Sequence, residues 1–122
     1  MKLFVFSLFF LFFVQNSKAQ EGFSVTTSSS KELFKSKENG VFEFILPNEI
    51  KKDNVKNAAQ YYTTFFTVNF DESTHNATIS MIENNASNRR VILRFFAMNK
   101  ISKVTVEGNS LTVQEFYEKY LN

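Results

Sequence analysis

The chain has 122 residues, of which 43% are hydrophobic and 21% charged, with 16 Phe, one Pro and no Cys. This length holds about one domain, and the abundance of apolar side chains excludes an intrinsically disordered chain. Since no disulfide can form, an apolar core has to hold the fold together. The formal net charge is only +2, and the chain has no long basic run, so a nucleic-acid partner is not expected.

The first nineteen residues have the composition of a leader. Lys2 gives a positive start, residues 3–14 form an apolar run, and Ser17-Lys18-Ala19 places small residues before a cleavage point. This order is typical of a secretory signal peptide, and the apolar run is shorter than the roughly 20 residues of a membrane span. Without residues 1–19, 12 basic side chains balance 12 acidic ones. We expect an exported protein, periplasmic or secreted, from a bacterial cell envelope; an uncleaved membrane anchor is the less favoured alternative.

Residues 20–40 are polar and rich in Ser, Thr and Lys. Their only large apolar side chains are those of Phe23, Val25, Leu33 and Phe34. A segment of this composition buries little apolar surface, so burial does not offset the conformational entropy lost when the segment is ordered. We therefore expect a flexible N-terminal segment that touches the domain at one point.

A strand and an amphipathic helix are predicted next. The residues Val41 to Leu46 are apolar except for Glu43, which predicts a strand buried on both faces and ended by Pro47. Asn48 suits a helix N-cap, and apolar residues recur at helical spacing after it. The prediction is one helix over residues 49–62.

The pattern then changes back to strands. The next predicted elements are a hairpin of strands 66–70 and 77–81, a helix from a Ser87 cap to Asn99, a strand at 104–106 and a turn at Gly108-Asn109. The hairpin strands alternate apolar with polar residues, so one face of the hairpin should be buried.

The strongest local signal lies near the C-terminus. Thr112-Val113-Gln114-Glu115 fits a capping box, and Leu111 and Phe116 occupy the positions of a hydrophobic staple. A short terminal helix should start here. From residue 41 to 122 the order of elements predicts an α+β fold, a ferredoxin-like βαββαβ sandwich with a four-stranded antiparallel sheet, two helices on one face and this extra helix.

Several landmarks recur at fixed places in this layout, namely Val55 in the first helix, Tyr61-Tyr62 near its end, Val68 and Phe70 in the second strand, and residues 74–79 across the hairpin. With them, residues 41–106 resemble the heavy-metal-associated domain family of small copper and zinc carriers, and the resemblance implies the ferredoxin-like fold. The family's Cys-x-x-Cys loop would place its cysteines at Asn48 and Lys51. Neither residue is a thiol, so we expect no thiolate-selecting Cu(I) site.

Other catalytic and metal chemistry is sparse in the sequence. His75 is the only histidine, and with Asp71 and Glu72 it forms a weak candidate metal site in a polar turn. A nucleophile such as Ser needs a base and a group that orients the base, and the chain shows no such local signature. We expect no enzyme activity and no cofactor.

Two groups of side chains are candidates for a partner surface. Tyr61, Tyr62 and Phe65 belong to the densest aromatic cluster, and Arg90 and Arg94 share one helix face. The favoured hypothesis is a small exported, non-catalytic interaction module that binds another envelope protein or itself. The alternative is a ligand or metal-ion binder that uses Arg and His side chains, which requires Arg89, Arg90 and His75 to line one pocket.

Overall fold

The structure is a computed structural model and describes residues 22–122. The predicted leader, residues 1–19, lies outside the described residues. The elements in chain order are β1 (Phe23–Thr27), α1 (Ser30–Asn39), β2 (Val41–Ile45), α2 (Lys52–Ala59), β3 (Phe66–Asp71), β4 (Asn76–Met81), α3 (Ala86–Arg90), α4 (Ile92–Met98), β5 (Ile101–Val106), β6 (Asn109–Thr112) and α5 (Val113–Phe116). A 3₁₀ turn, Gln60–Tyr62, extends α2, and a π-helical turn, Tyr117–Leu121, extends α5.

The strands form one six-stranded mixed sheet in the order β3-β4-β2-β1-β5-β6. All neighbouring strands are antiparallel except β1 and β5, which are parallel. The prediction of an α+β fold is confirmed. The prediction of a four-stranded ferredoxin-like sheet is wrong, because β1 lies between β2 and β5 and β6 extends the far edge.

Part of the predicted topology is nevertheless present within the larger sheet. Both β2 and β3 pair with β4 in antiparallel fashion, so β2 and β3 run parallel to each other on either side of β4. The helix α2 connects them, which makes this half of the sheet a split βαβ unit. The hairpin of β3 and β4 has one buried face, as predicted, with Phe66, Ala77 and Ile79 in the core.

The N-terminal segment expected to be flexible is instead part of the sheet and of its helical layer. In β1 the side chain of Val25 is fully buried, and in α1 that of Leu33 is fully buried. Ser29 caps α1 by accepting a hydrogen bond from the Glu32 amide, and Gly40 ends it in the left-handed region with φ 76°. Each element buries few apolar side chains, so its composition resembles that of a linker.

The core lies between one face of the sheet and the helices. Phe44 of β2 packs edge-on against Phe96 of α4 and Phe116 of α5, with ring centroids 5.0 Å and 5.9 Å apart. Within the described part of the chain, the opposite face of the sheet is largely exposed. Val41 and Ile45 are exposed on it, so β2 is buried on one face only, and the prediction of two buried faces is wrong.

Two predicted helix starts are displaced along the chain. Asn48 does not cap α2, which begins at Lys52 after a turn, and the Asn54 side chain accepts a hydrogen bond from the Lys51 amide. Asn85, rather than Ser87, caps α3 by accepting from the Asn88 amide. The single helix predicted from Ser87 to Asn99 is divided into α3 and α4 in the structure. Its predicted end at Asn99 is confirmed.

The C-terminal capping box is confirmed. Thr112 accepts a hydrogen bond from the Glu115 amide at 3.1 Å, and the Glu115 carboxylate accepts from the Thr112 amide at 2.8 Å. The hydrogen bond from the Thr112 amide is the main cause of the lowered pKa of Glu115, and the Thr112 side chain lowers this pKa further. Phe116, Tyr120 and Leu121 are buried, so the terminal helix is docked on the domain. No helix within residues 22–122 is long and apolar enough to cross a bilayer.

Candidate binding groove

Among residues 22–122, the strand β3 has no neighbouring strand on its outer side and forms an edge of the sheet. Ile82 donates its amide hydrogen bond to the Phe65 carbonyl, so Phe65 and every second residue after it, Thr67 and Asn69, bond to the neighbouring strand. The intervening residues of the antiparallel ladder, Phe66, Val68 and Phe70, therefore direct their backbone N–H and C=O groups away from the sheet. Such a row of backbone groups can pair with another extended chain.

The helix α2 runs beside this edge and forms the second wall of a groove. Its residues Lys52, Val55, Lys56 and Ala59, with Gln60 of the 3₁₀ turn, line a cavity of about 510 Å³ whose other wall is residues 66–70 of β3. Val55 is buried and Ala59 half-buried, so the floor of the groove is apolar. The two lysines are exposed and line the cavity one helical turn apart.

A second cavity continues the groove towards the β3–β4 turn. It has a volume of about 370 Å³ and shares Lys52 and Phe70 with the first cavity. His75 lines it in the left-handed region with φ 59°, and its ring meets that of Phe70 edge-on at 5.3 Å. The two cavities together follow β3 along its whole length.

The three weak metal-ligand candidates do not form a metal site. The Asp71 carboxylate accepts hydrogen bonds from the Ser73 hydroxyl at 2.7 Å and from the Ser73 amide at 2.9 Å, which lower the pKa of Asp71. Glu72 pairs with Lys52 at 3.4 Å, and Nδ1 of His75 is buried. Within residues 22–122 no three His, Cys, Asp or Glu side chains are grouped closely enough to hold a metal ion.

The aromatic residues predicted as a partner surface lie where α2 meets β3. Tyr61 is 65% exposed in the 3₁₀ turn at the end of the groove, between the lining residues Gln60 and Thr63. Tyr62 is half-buried, stacks on Phe66 at 5.9 Å, and donates a hydrogen bond to the Met98 sulfur. Phe65 is half-buried against the core. Tyr61 is therefore the member of this cluster most available to a partner.

The arginines predicted as a partner surface lie elsewhere. Arg90 and Arg94 are exposed and line a separate cavity of about 240 Å³ beside α5. The guanidinium of Arg90 lies 5.1 Å above the ring of Tyr117, so part of its charge is already engaged in a cation–π contact. The sequence pattern thus indicated two surfaces, and the structure does not bring them together.

Arg89 has a structural role that its sequence neighbourhood does not reveal. Its side chain is buried and donates hydrogen bonds to the Leu121 carbonyl and the Asn84 side chain, both at 2.6 Å. It therefore ties α3 to the C-terminal turn. Because Arg89 is buried and His75 lines a different cavity from Arg90, the three side chains do not line one pocket.

Comparisons with protein-family models, with curated proteins and with solved structures return no match. The resemblance to the heavy-metal-associated family therefore stays a prediction. The residues at the family's two cysteine positions, Asn48 and Lys51, are both exposed.

Proposed function

We propose that this protein is a non-catalytic binding module that engages a protein partner through the groove between α2 and β3. The observation that carries the proposal is the open edge of β3. Its free backbone groups and the apolar floor beside them are two features by which sheet edges and grooves hold extended chains. The exposed Tyr61 at the end of the groove adds an aromatic anchor of the kind enriched in protein interfaces.

The alternative of an Arg- and His-based ligand binder is less well supported. It requires the basic side chains to converge, and Arg89 is engaged by backbone and amide oxygens while Arg90 and His75 lie in separate cavities. The binding module remains the preferred function because its groove needs no such convergence.

The cellular setting of the proposal follows from the leader. The order of charged, apolar and small residues in positions 1–19 favours export, so the partner would be another protein of the envelope or outside the cell. The proposed binding function requires no thiol metal site, and the chain contains no Cys that could form one.

Site-specific photo-crosslinking in the producing cells tests the proposed surface. A photoreactive amino acid at Gln60 or Thr63 places the probe in the groove, and the same amino acid at Lys103 places it on the exposed face of β5 as a matched control. We expect one discrete adduct from both groove positions and none from position 103. Adducts of equal yield at all three positions, or at position 103 only, would refute the groove as the partner surface.

A further inference from the structure

The larger cavity of the groove carries positive charge on its helical side, whereas the smaller cavity is lined by both Lys51 and Lys52 and by Asp53 and Glu72. Of the side chains that line the larger cavity, within the described part of the chain, two are basic, Lys52 and Lys56, and none is acidic. Glu72 reaches Lys52 from the turn, but both side chains are about 60% exposed, so water and other carboxylates can compete with this pair. A partner chain in the groove would therefore meet two ammonium groups in a row.

The spacing of these lysines matches that of an extended chain. Residues four apart on a helix have Cβ atoms about 5–6 Å apart, and alternate residues of a strand rise by about 6.6 Å on the same face. The helix α2 runs along β3, since Lys52 lies beside the Phe70 end and Gln60 beside the Phe66 end. Alternate side chains of a strand added to β3 would therefore face Lys52 and Lys56 in turn.

We propose that the groove recognises an extended segment with acidic side chains at alternate positions, which pairs with β3 as a seventh strand. This inference rests on the proposed binding function and names its partner class. Backbone groups of Phe66, Val68 and Phe70 hold the segment, two carboxylates reach Lys52 and Lys56, and apolar side chains on either side cover Val55 and Ala59. The row of about six residues in β3 is about 20 Å long and accepts a segment of similar length.

The edge strand carries few of the features that normally prevent strand addition. It contains neither Pro nor an inward-pointing charge, and its register with β4 is continuous, without a bulge, from Phe66 to Asp71. Lys52 and Lys56 would repel a basic segment, and this repulsion favours an acidic segment over a basic one.

Three capped octapeptides provide matched probes. The first, Thr-Val-Thr-Glu-Thr-Glu-Thr-Val, presents two acids on one face; the second, Thr-Val-Thr-Glu-Glu-Thr-Thr-Val, has the same composition with the acids on opposite faces; the third replaces both Glu of the first by Lys. Amide chemical shifts during titration of the exported chain report both the affinity and the place of binding. We expect the first peptide to bind at least tenfold more tightly than the other two, with the largest shifts at β3.

Protein variants separate charge recognition from strand pairing. The double variant Lys52→Glu and Lys56→Glu should reverse the preference towards the lysine peptide, whereas Lys103→Glu on the far side of the sheet should leave it unchanged. Val68→Pro removes an outward N–H that would pair with the added segment, so it should abolish binding. The variant should still fold, since the β4 ladder does not use this N–H and Pro is tolerated at such edge positions. If Val68→Pro fails to fold, the exposed lysine variants still decide the question.

Several outcomes would overturn this inference. Equal affinity for the two acidic peptides, shifts centred on β6, or an unchanged preference in the double variant would each contradict it. If sedimentation shows that the unchanged protein is a dimer and that Val68→Pro is a monomer, the occupant of the groove would be a second copy of the chain. If the crosslinks confirm the groove while none of the peptides binds, the binding function stands and the acidic partner is refuted.

Discussion

Truncation of Phe116 to Ala tests how the C-terminal helix contributes to the fold. The ring is fully buried, and it lies 5.9 Å from Phe44 and 5.6 Å from Tyr120, centroid to centroid. Phe44 in turn packs on Phe96, so this aromatic chain joins α5 to the sheet and to α4. Removal of the ring leaves a cavity at the junction of three elements.

The expected cost follows from the burial. Phe-to-Ala changes in cores lower the free energy of unfolding by about 3–5 kcal/mol, and the several fixed neighbours of Phe116 limit collapse of the cavity. A domain of this size has a total stability of about 5–15 kcal/mol. With an m-value of about 1.5 kcal/mol per molar urea, the midpoint should fall by about 2 M or more.

Equilibrium urea unfolding monitored by circular dichroism measures this loss. Phe34→Ala is a matched control, because Phe34 also contacts Tyr120, at 6.0 Å, but is 56% exposed. We expect the control to lose less than about 1 kcal/mol. A loss for Phe116→Ala no larger than that of the control would refute the conclusion that the terminal helix is part of the cooperative unit.

Three further predictions concern the cap, the metal chemistry and the leader. Thr112→Ala should lower the free energy of unfolding in urea by about 1 kcal/mol. Because the pKa of Glu115 in the folded protein lies below its ordinary value of 4.5, the carboxylate should stabilise the fold above that pH, and Glu115→Gln should lack this stabilisation. The free energies of unfolding of the unchanged protein and of Glu115→Gln should therefore converge as acid protonates the folded carboxylate. Zn²⁺ and Cu(I) should bind no better than to a surface-histidine control in chelator competition, and submicromolar one-to-one binding lost in His75→Ala would contradict this. N-terminal sequencing of the exported protein should start at Gln20, and an intact Met1 would contradict cleavage.

The elements that could be predicted are those whose signals are local. The β3–β4 hairpin alternates apolar and polar residues, and the capping box at Thr112 needs only four consecutive residues, so both were predicted from sequence. The strand β1 has one fully buried residue, Val25, and a Ser- and Thr-rich remainder. Its position between β2 and β5 depends on long-range pairing, which no local pattern encodes.

The candidate site was predicted only in part for the same reason. Tyr61 was predicted from its place in an aromatic cluster, and Gln60 and Thr63, close to it in the chain, line the groove. The groove itself arises from the packing of α2 against β3, and the lysines that give it charge were not singled out from the sequence. Their i, i+4 spacing next to Val55 and Ala59 was the available signal, but its meaning depends on the open sheet edge.

The position of β1 leads to a last prediction, that a chain starting at residue 41 does not fold cooperatively. β1 pairs with β2 on one side and with β5 on the other, so its removal exposes two edges in the middle of the sheet and uncovers the core where Val25 and Leu33 were buried. A chain starting at Gly22 keeps these pairings and should unfold in one transition. If the shorter chain unfolded with the same urea midpoint, β2 and β5 would have paired directly in the ferredoxin-like order, and β1 would be an addition to a domain that is stable without it.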